Sequence, residues 1–140
     1  MNPKKLTVSL AVLTLALASS AQAQTVATWI KTPDGDFFLG SNWDTGTAPD
    51  VSTIASIKNG GKALIGVAAG DRKLAGLRLG ETQGSTESGH VVMSGGFLDL
   101  GATPGDPKAV IGFSTVLSTF EMTGGTIFFD GPNQFPGSYS

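Results

Sequence analysis

The feature that most constrains this chain is a short glycine motif that occurs twice in similar surroundings. Val91–Gly101 reads VVMSGGFLDLG and Phe120–Gly131 reads FEMTGGTIFFDG, so that their Gly-Gly pairs are 29 positions apart. A second matching element lies upstream of each motif, at Leu77–Ser85 and at Ala109–Ser118. Self-similarity at a period of about 20–50 residues is typical of solenoids and other stacked repeats.

Each unit contains short apolar runs that predict β-strands. Alternation within the runs places Val91 and Met93, or Leu98 and Leu100, on one face and Asp99 on the other. A short strand buries too little surface to be stable alone, whereas stacking one repeat on the next supplies backbone pairing and a continuous apolar interior. Glycines at the corners allow the chain to change direction without a clash from Cβ.

These observations predict an all-β chain that folds as a right-handed parallel β-helix, a β-solenoid that is incomplete at its C-terminal end. The repeat units are expected at about 77–101 and 109–131, with a degenerate half-unit at 63–71. At roughly 20–25 residues per turn, the chain would form about five turns. A β-sandwich of antiparallel strands is the alternative, because its strands also recur about every 8–12 residues. A bare strand edge near Phe128 and Phe129 would favour association with another chain.

Composition excludes several other classes of protein. The 140 residues include 20 Gly, all of them after residue 23, no Cys and only 14% charged residues. Helix bundles are rich in Ala, Glu, Lys and Leu, and disulfide scaffolds need cysteine, so neither class fits. The basic residues are scattered and the formal net charge is −2, whereas nucleic-acid binding needs several converging cations. We therefore expect no nucleic-acid partner.

Residues 1–23 have the three parts of a secretory signal peptide. A short basic region at Lys4 and Lys5 precedes an apolar stretch at 6–18, and the segment ends with an A-x-A pattern. A membrane span needs about 20 apolar residues, more than this stretch offers. We predict cleavage after Ala23 and no membrane span in the mature chain. The protein is expected at the cell surface or in the medium, after transit through the periplasm.

Residues 24–62 form a distinct N-terminal region that is expected to cap the repeats of residues 63–140. Runs at Val26–Ile30 and Thr53–Ile57 predict strands, with Asp- and Gly-rich turns between them. Four large aromatic side chains are predicted to shield the open end of the core, as solenoid ends require, and stacking on sugar rings is the alternative. These side chains are Trp29, Phe37, Phe38 and Trp43.

No arrangement of residues predicts catalysis, a cofactor or a metal, and we assign no such site. Cysteine is absent, and the single histidine, His90, is expected to face solvent from a strand. Asp99 and Asp130 lie near the ends of matching strands and could align on adjacent turns, as a polysaccharide-cleaving pair would need. Four aspartates could supply calcium ligands, although turn formation is the commoner role of such residues. They are Asp34, Asp36, Asp44 and Asp50.

Several short motifs resemble a known class of bacterial extracellular proteins. Three segments are similar to the N-W-x-x-G-x-x-P…D-x-A-x-I…G-G opening of autotransporter passenger domains and PEP-CTERM-type surface proteins. They are Thr28-Trp29, GSNWDTGTAP at Gly40–Pro49 and IASIKNGG at Ile54–Gly61. The resemblance implies a right-handed parallel β-helix, an exported location and a role in adhesion, matrix or surface stalks. Members of this class usually run to hundreds of residues, so the chain is expected to correspond to an N-terminal part.

The function expected from these features is that of an exported structural or adhesive surface module with no catalysis of its own. Surface or matrix polysaccharides, other surface proteins and a second copy joined end to end are the expected partners. The alternative is a carbohydrate-binding or polysaccharide-degrading β-helix protein.

Overall fold

The computed structural model describes residues 24–100 and 109–129, which are built almost entirely of strands and loops. The strands are β1 (Thr25–Thr28), β2 (Asp34–Asp36), β3 (Thr53–Ile57), β4 (Asn59–Ile65), β5 (Asp71–Leu74), β6 (Gly76–Leu79), β7 (Ser88–Leu100), β8 (Ala109–Ile111) and β9 (Thr119–Phe129). Short 3₁₀ turns occupy Gly40–Asn42 and Val67–Ala69. Within these ranges no helix has the length and apolar character that crossing a membrane requires.

The strands coil into a parallel β-solenoid of about 3 turns. One sheet has the order β1-β3-β6-β8, and the other joins β2, β4 and β7, with β5 and β9 also paired to β7. All pairs between these strands are parallel. The predicted parallel solenoid is therefore confirmed, and the β-sandwich alternative is wrong, because sandwich strands would pair in opposite directions.

The repeat seen in the sequence corresponds to the pairing register between the last two described turns. β9 lies on β7 with His90 opposite Thr119, a separation of 29 residues. The half-unit at 63–71 belongs to the preceding turn, since Ala63 pairs with Val91 in the same sheet. β7 changes partner along its length, from β4 in its first half to β5 in its second.

Two expectations about strand extent and turn length need correction. β3 has the predicted bounds, but β1 ends at Thr28 because the chain leaves the sheet at Trp29 to form an antiparallel bridge with Trp43. The estimate of about five turns was too high for the described residues, which form about 3. Loops lengthen individual turns, as the pairing of Leu77 with Ala109 shows.

The core lies between the sheets, and β7 contributes alternate residues to it. Val91 and Met93 from the first half of β7, and Leu98 and Leu100 from its second half, are all 0% exposed, as the alternation predicts. Ala55 and Ile57 of β3 and Leu77 and Leu79 of β6 face them from the other sheet, within one apolar cluster. Full burial of a side chain such as Leu or Met contributes about 1.5–3 kcal/mol, so the stacked interior is the main source of stability.

The Gly-Gly corners stack directly on one another. Gly96 and Gly125 have φ angles of 82° and 89°, a region that residues with a Cβ rarely adopt. A Cβ on Gly125 would also lie 2.7 Å from the Gly96 carbonyl oxygen. Glycine is required at this corner both by the dihedral angle and by the close approach of two turns.

The N-terminal region is continuous with the solenoid. β1 and β3, which lie within residues 24–62, are neighbours in the sheet that continues through β6 to β8. The boundary predicted between residues 62 and 63 falls inside β4. The predicted signal peptide at 1–23 lies outside the described residues, as do the ends of both repeat units at residues 101 and 131.

Candidate functional site

Three aromatic rings close the N-terminal end of the solenoid core. Trp29, Phe37 and Trp43 are at most 1% exposed, and Trp43 meets each of the other two rings edge to face at a centroid distance of 5.0 Å. The Trp43 indole N–H also donates a 2.7 Å hydrogen bond to the Phe37 carbonyl oxygen. Edge-to-face pairs add about 0.5–1.5 kcal/mol beyond the burial of area. Rings enclosed in this way have no face to offer a sugar, and their packing agrees with the predicted capping role.

Phe38, the fourth aromatic residue of this region, has a different environment. Its half-buried ring contacts Phe37 edge to face at 4.9 Å, and the Arg72 guanidinium lies 4.9 Å from its centroid. The Arg72 Nε–H donates a 2.8 Å hydrogen bond to the Ala69 carbonyl, which fixes the guanidinium over the ring. Sequence analysis did not connect Phe38 with Arg72, because the two become neighbours only when one turn stacks on the next.

Phe38 and Arg72 line a surface cleft of about 410 Å³. Asp36 and Leu64, which pair across β2 and β4, form another part of its wall. No ion pair joins the Asp36 carboxylate to the Arg72 guanidinium, so the cleft offers a hydrogen-bond acceptor and a separate donor beside apolar surface. This combination suits a small polyhydroxylated ligand with one apolar face.

The aspartates considered as calcium ligands stabilise turns and an ion pair. Asp36 and Asp44 each accept a 2.8 Å hydrogen bond from a backbone N–H, that of Phe38 and of Thr28 respectively. Asp34 forms an ion pair with Lys62 at 3.3 Å. Among residues 24–100 and 109–129, no three acidic, histidine or cysteine side chains converge as a metal site would need.

Asp50 organises the turn that leads into β3. Its Oδ1 accepts three hydrogen bonds, from the backbone N–H of Ser52 at 2.9 Å and from the hydroxyls of Ser52 and Thr53 at 2.8 Å. The backbone hydrogen bond from Ser52, aided by the two hydroxyls, lowers the pKa of the Asp50 carboxyl below its ordinary value. The charged form of Asp50 therefore stabilises this turn.

Asp99 lies opposite Phe128 of β9 on the neighbouring turn. The alignment of Asp99 with Asp130 stays a prediction. Counting from the Gly-Gly corner, rather than from the strand ends, places residue 128 at the Asp99 position. The Asp99 carboxylate forms an ion pair with Lys73 at 3.1 Å, across the adjacent strands β7 and β5. Asp130 itself lies outside the described residues.

His90 and Ser56 extend polar contacts between turns. His90 Nδ1 lies 2.9 Å from the hydroxyl of Thr119, its partner in β9, and its side chain is half-buried. Ser56 is completely buried, and its hydroxyl donates a 2.8 Å hydrogen bond to the carboxylate of Glu81, which also accepts one from Arg78. Sequence analysis did not single out the Ser56–Glu81 contact, since nothing in either local sequence marks it.

The opposite end of the solenoid has no aromatic cap within the described residues. Side chains of β8 and β9 and of the turn below line a half-open apolar cleft of about 310 Å³. Met122 and Phe128 on β9 are 43% and 51% exposed. β9 pairs with β7 and β8 with β6, and no described strand lies along the other edge of either. Met122 faces this cleft, whereas Phe128 lies opposite Asp99 and is on the outer face of the sheet. The bare edge expected near Phe128 and Phe129 stays a prediction, because residues 130–140 lie outside the described range.

Comparisons with protein-family models, curated proteins and solved structures find no match to this chain. The function is therefore inferred from the geometry of the solenoid itself. Its two candidate surfaces are the apolar cleft at β8 and β9 and the Phe38–Arg72 cleft on its side.

Proposed function

We propose that this chain is an exported structural or adhesive module of a bacterial surface, with no catalysis of its own. The observation that carries the proposal is the stacked parallel solenoid, whose first end is closed by the buried rings of Trp29, Phe37 and Trp43. Stacked repeats form an extended, regular surface, which suits a structural or adhesive component.

The placement of the polar side chains supports the non-catalytic part of the proposal. Asp50 holds a tight turn, Asp44 accepts a hydrogen bond from the end of β1, Asp99 is paired with Lys73, and Ser56 donates to Glu81. These carboxylates act within the solenoid and are not grouped in a cleft with a nucleophile. Polysaccharide hydrolysis by a carboxylate pair would need two such groups on either side of one substrate bond.

Export is the part of the proposal that the leader sequence supports, and it can be tested directly. Expression of the full chain in a Gram-negative host should give an exported protein whose intact mass corresponds to a chain beginning at Gln24. Replacing Lys4 and Lys5 by Glu should retain the precursor in the cytoplasm, because the basic start of the leader is lost. Full-length protein in the cytoplasm of both strains would contradict the proposed location.

Adhesion and the absence of catalysis need separate assays. The purified chain should co-sediment with isolated cell envelopes and release no product from a panel of acidic and neutral polysaccharides. If the chain cleaved a polysaccharide and Asp99→Asn lost that activity, the structural proposal would be overturned, because a carboxylate that only forms an ion pair with Lys73 has no role in catalysis. Lys62→Ala, which removes the ion-pair partner of Asp34, is the control for loss of a surface ion pair.

A second candidate function, carbohydrate binding, is favoured by the cleft between Asp36 and Arg72. A sugar could place its hydroxyls between the carboxylate and the guanidinium and its apolar face on Leu64. Glycan-array binding that Arg72→Ala abolishes and Lys73→Ala preserves would support it, since both basic residues lie on β5 but only Arg72 lines the cleft. Equal binding by both variants would place the glycan elsewhere.

A further inference from the structure

The Arg72 guanidinium is a fixed positive charge with no carboxylate partner in residues 24–100 and 109–129. Its Nε–H donates a 2.8 Å hydrogen bond to the Ala69 carbonyl, and its central carbon lies 4.9 Å from the centroid of the Phe38 ring. Most of the other described basic residues form ion pairs: Lys58, Lys62, Lys73 and Arg78. The charge of Arg72 is therefore held in place but is not neutralised.

The two terminal nitrogens of Arg72, Nη1 and Nη2, remain for a ligand. Only Nε is used in hydrogen bonding to the described residues. The planar fork of a guanidinium matches the two oxygens of a carboxylate or the oxygens of a phosphate group. Because the Ala69 carbonyl and the Phe38 ring already orient the side chain, little conformational entropy is lost when an anion binds. Arg72 thus offers a preorganised anion contact in an exposed cleft.

The other walls of the cleft determine what the anion is attached to. Leu64 is 40% exposed and, with Ala68, contributes apolar surface. Asp36 Oδ1 accepts the Phe38 N–H at 2.8 Å, and no described residue donates to Asp36 Oδ2. The cleft therefore combines a cation, a hydrogen-bond acceptor and an apolar wall. A sugar that carries one carboxylate has the matching groups: an anion, hydroxyl donors and an apolar ring face.

We propose that the Phe38–Arg72 cleft binds a uronic acid residue of an acidic polysaccharide. The carboxylate of the sugar accepts hydrogen bonds from the Nη groups of Arg72, a ring hydroxyl donates to Asp36 Oδ2, and the apolar face of the ring lies on Leu64. The cleft volume of about 410 Å³ lies within the range of about 300–1,000 Å³ that small-ligand sites occupy. The inference deepens the carbohydrate-binding candidate function and rests on it.

Phosphate groups and peptide carboxylates, the other anions that arginine commonly holds, match this cleft less well. A phosphate brings a second negative charge towards the Asp36 carboxylate in the same cleft, and this repulsion weakens its binding. A peptide brings amide carbonyls that need donors, whereas Arg72 carries the only side-chain donor among the lining residues. Sugar hydroxyls both donate and accept, so they satisfy Asp36 and still contact solvent.

Isothermal titration calorimetry with the unaltered chain tests the class of ligand. At least one trisaccharide of galacturonic, glucuronic or mannuronic acid should bind, and its methyl ester should bind about tenfold more weakly, because the ester lacks the charge that pairs with Arg72. Equal binding of acid and ester would overturn the uronic acid assignment and leave the carbohydrate-binding candidate standing. Binding of no saccharide would overturn both. Tighter binding of inorganic phosphate or of acetyl-glycyl-glycine would assign the cleft to another anion and refute the proposal.

Substitutions on β5 test the residue itself. Arg72→Gln removes the charge and Arg72→Lys removes the planar fork, so both should weaken binding of the acidic trisaccharide, the first by about tenfold or more. Lys73→Ala is the matched control, because Lys73 lies on the same strand and pairs with Asp99 but does not line the cleft. Unchanged affinity in Arg72→Gln, or an equal loss in Lys73→Ala, would refute the assignment. Envelope co-sedimentation is measured separately, so failure here leaves the structural or adhesive function standing.

Discussion

The stacked Gly-Gly corner leads to a quantitative prediction about stability. In Gly125→Ala the new Cβ would lie 2.7 Å from the Gly96 carbonyl oxygen and 2.8 Å from the Gly95 carbonyl carbon. Both contacts are with backbone atoms of β7, which cannot rotate away as a side chain could. The turns must therefore separate locally or the corner must change conformation.

The expected cost combines a dihedral contribution and a steric contribution. An L-residue in the left-handed region costs about 1–2 kcal/mol, partly offset by about 0.4–1 kcal/mol from the less flexible unfolded chain. Gly84 has a φ of 74° with nothing within 4 Å of its potential Cβ, so Gly84→Ala should show this contribution alone, about 1 kcal/mol. Overpacking typically adds about 1–3 kcal/mol, so Gly125→Ala should lose about 2–4 kcal/mol.

Urea unfolding followed by far-UV circular dichroism measures the difference between the two variants. Gly125→Ala should unfold at a clearly lower urea concentration than Gly84→Ala, by about 1–3 kcal/mol in free energy. Gly89→Ala is a further control that reports the steric contribution alone. Its Cβ would overlap the Ile57 carbonyl oxygen, but Gly89 has no left-handed φ. If Gly125→Ala and Gly84→Ala agreed within about 0.5 kcal/mol, the close contact between stacked corners would be refuted as a source of stability.

Three further predictions concern the turn, the cap and the buried polar contact. Hydrogen bonding lowers the folded-state pKa of Asp50 below 3.8, so its stabilisation is present above that pH and is lost as the pH falls through the lower folded value. Asp50→Asn should therefore reduce the difference between urea midpoints measured at pH 7 and pH 3, and an unchanged difference would contradict this role. Trp43→Phe leaves the Phe37 carbonyl without its indole donor and creates a cavity, so calorimetry should show a loss of about 2–4 kcal/mol, while near-wild-type stability would argue against the cap. A double-mutant cycle of Ser56→Ala and Glu81→Gln, followed by urea unfolding, should give a coupling of about 1 kcal/mol, and additive effects would exclude the contact.

The parts of the fold that the sequence predicts are those that repeat. The 29-residue spacing of the two Gly-Gly pairs is the pairing register of β7 and β9, and Thr53–Ile57 is a strand as its β-branched pattern indicates. Alternation along Val91–Met93 also identifies the inward-facing residues. The alternation is local, because it depends on the period of two along a strand, whereas the 29-residue register is visible because both units carry the same corner motif.

Contacts between turns are less visible in the sequence, because loop lengths set the distance along the chain between stacked neighbours. Leu77 pairs with Ala109, while Ile54 pairs with Gly76, so no single spacing applies to the whole chain. The position opposite Asp99 is likewise set by the stacking, which brings Phe128 beside it.

The two candidate surfaces also differ in how far the sequence predicts them. The apolar cleft at β8 and β9 follows from the last apolar runs of a stacked repeat, which the sequence shows. The cleft beside Phe38 does not follow, because Arg72 reaches that ring only through the stacking of β5 and the packing of the Val67–Ala69 turn.

By itself, the sequence determined the architecture: short alternating strands and a recurring Gly-Gly corner leave a stacked parallel solenoid as the arrangement that buries each strand. Only the tertiary structure decided which aromatic rings are enclosed and which carboxylates are engaged. The physical reason is that repeats specify how one turn meets the next, whereas an end has no neighbouring turn to specify it. Trp29 and Trp43 close the first end through a bridge outside the repeat.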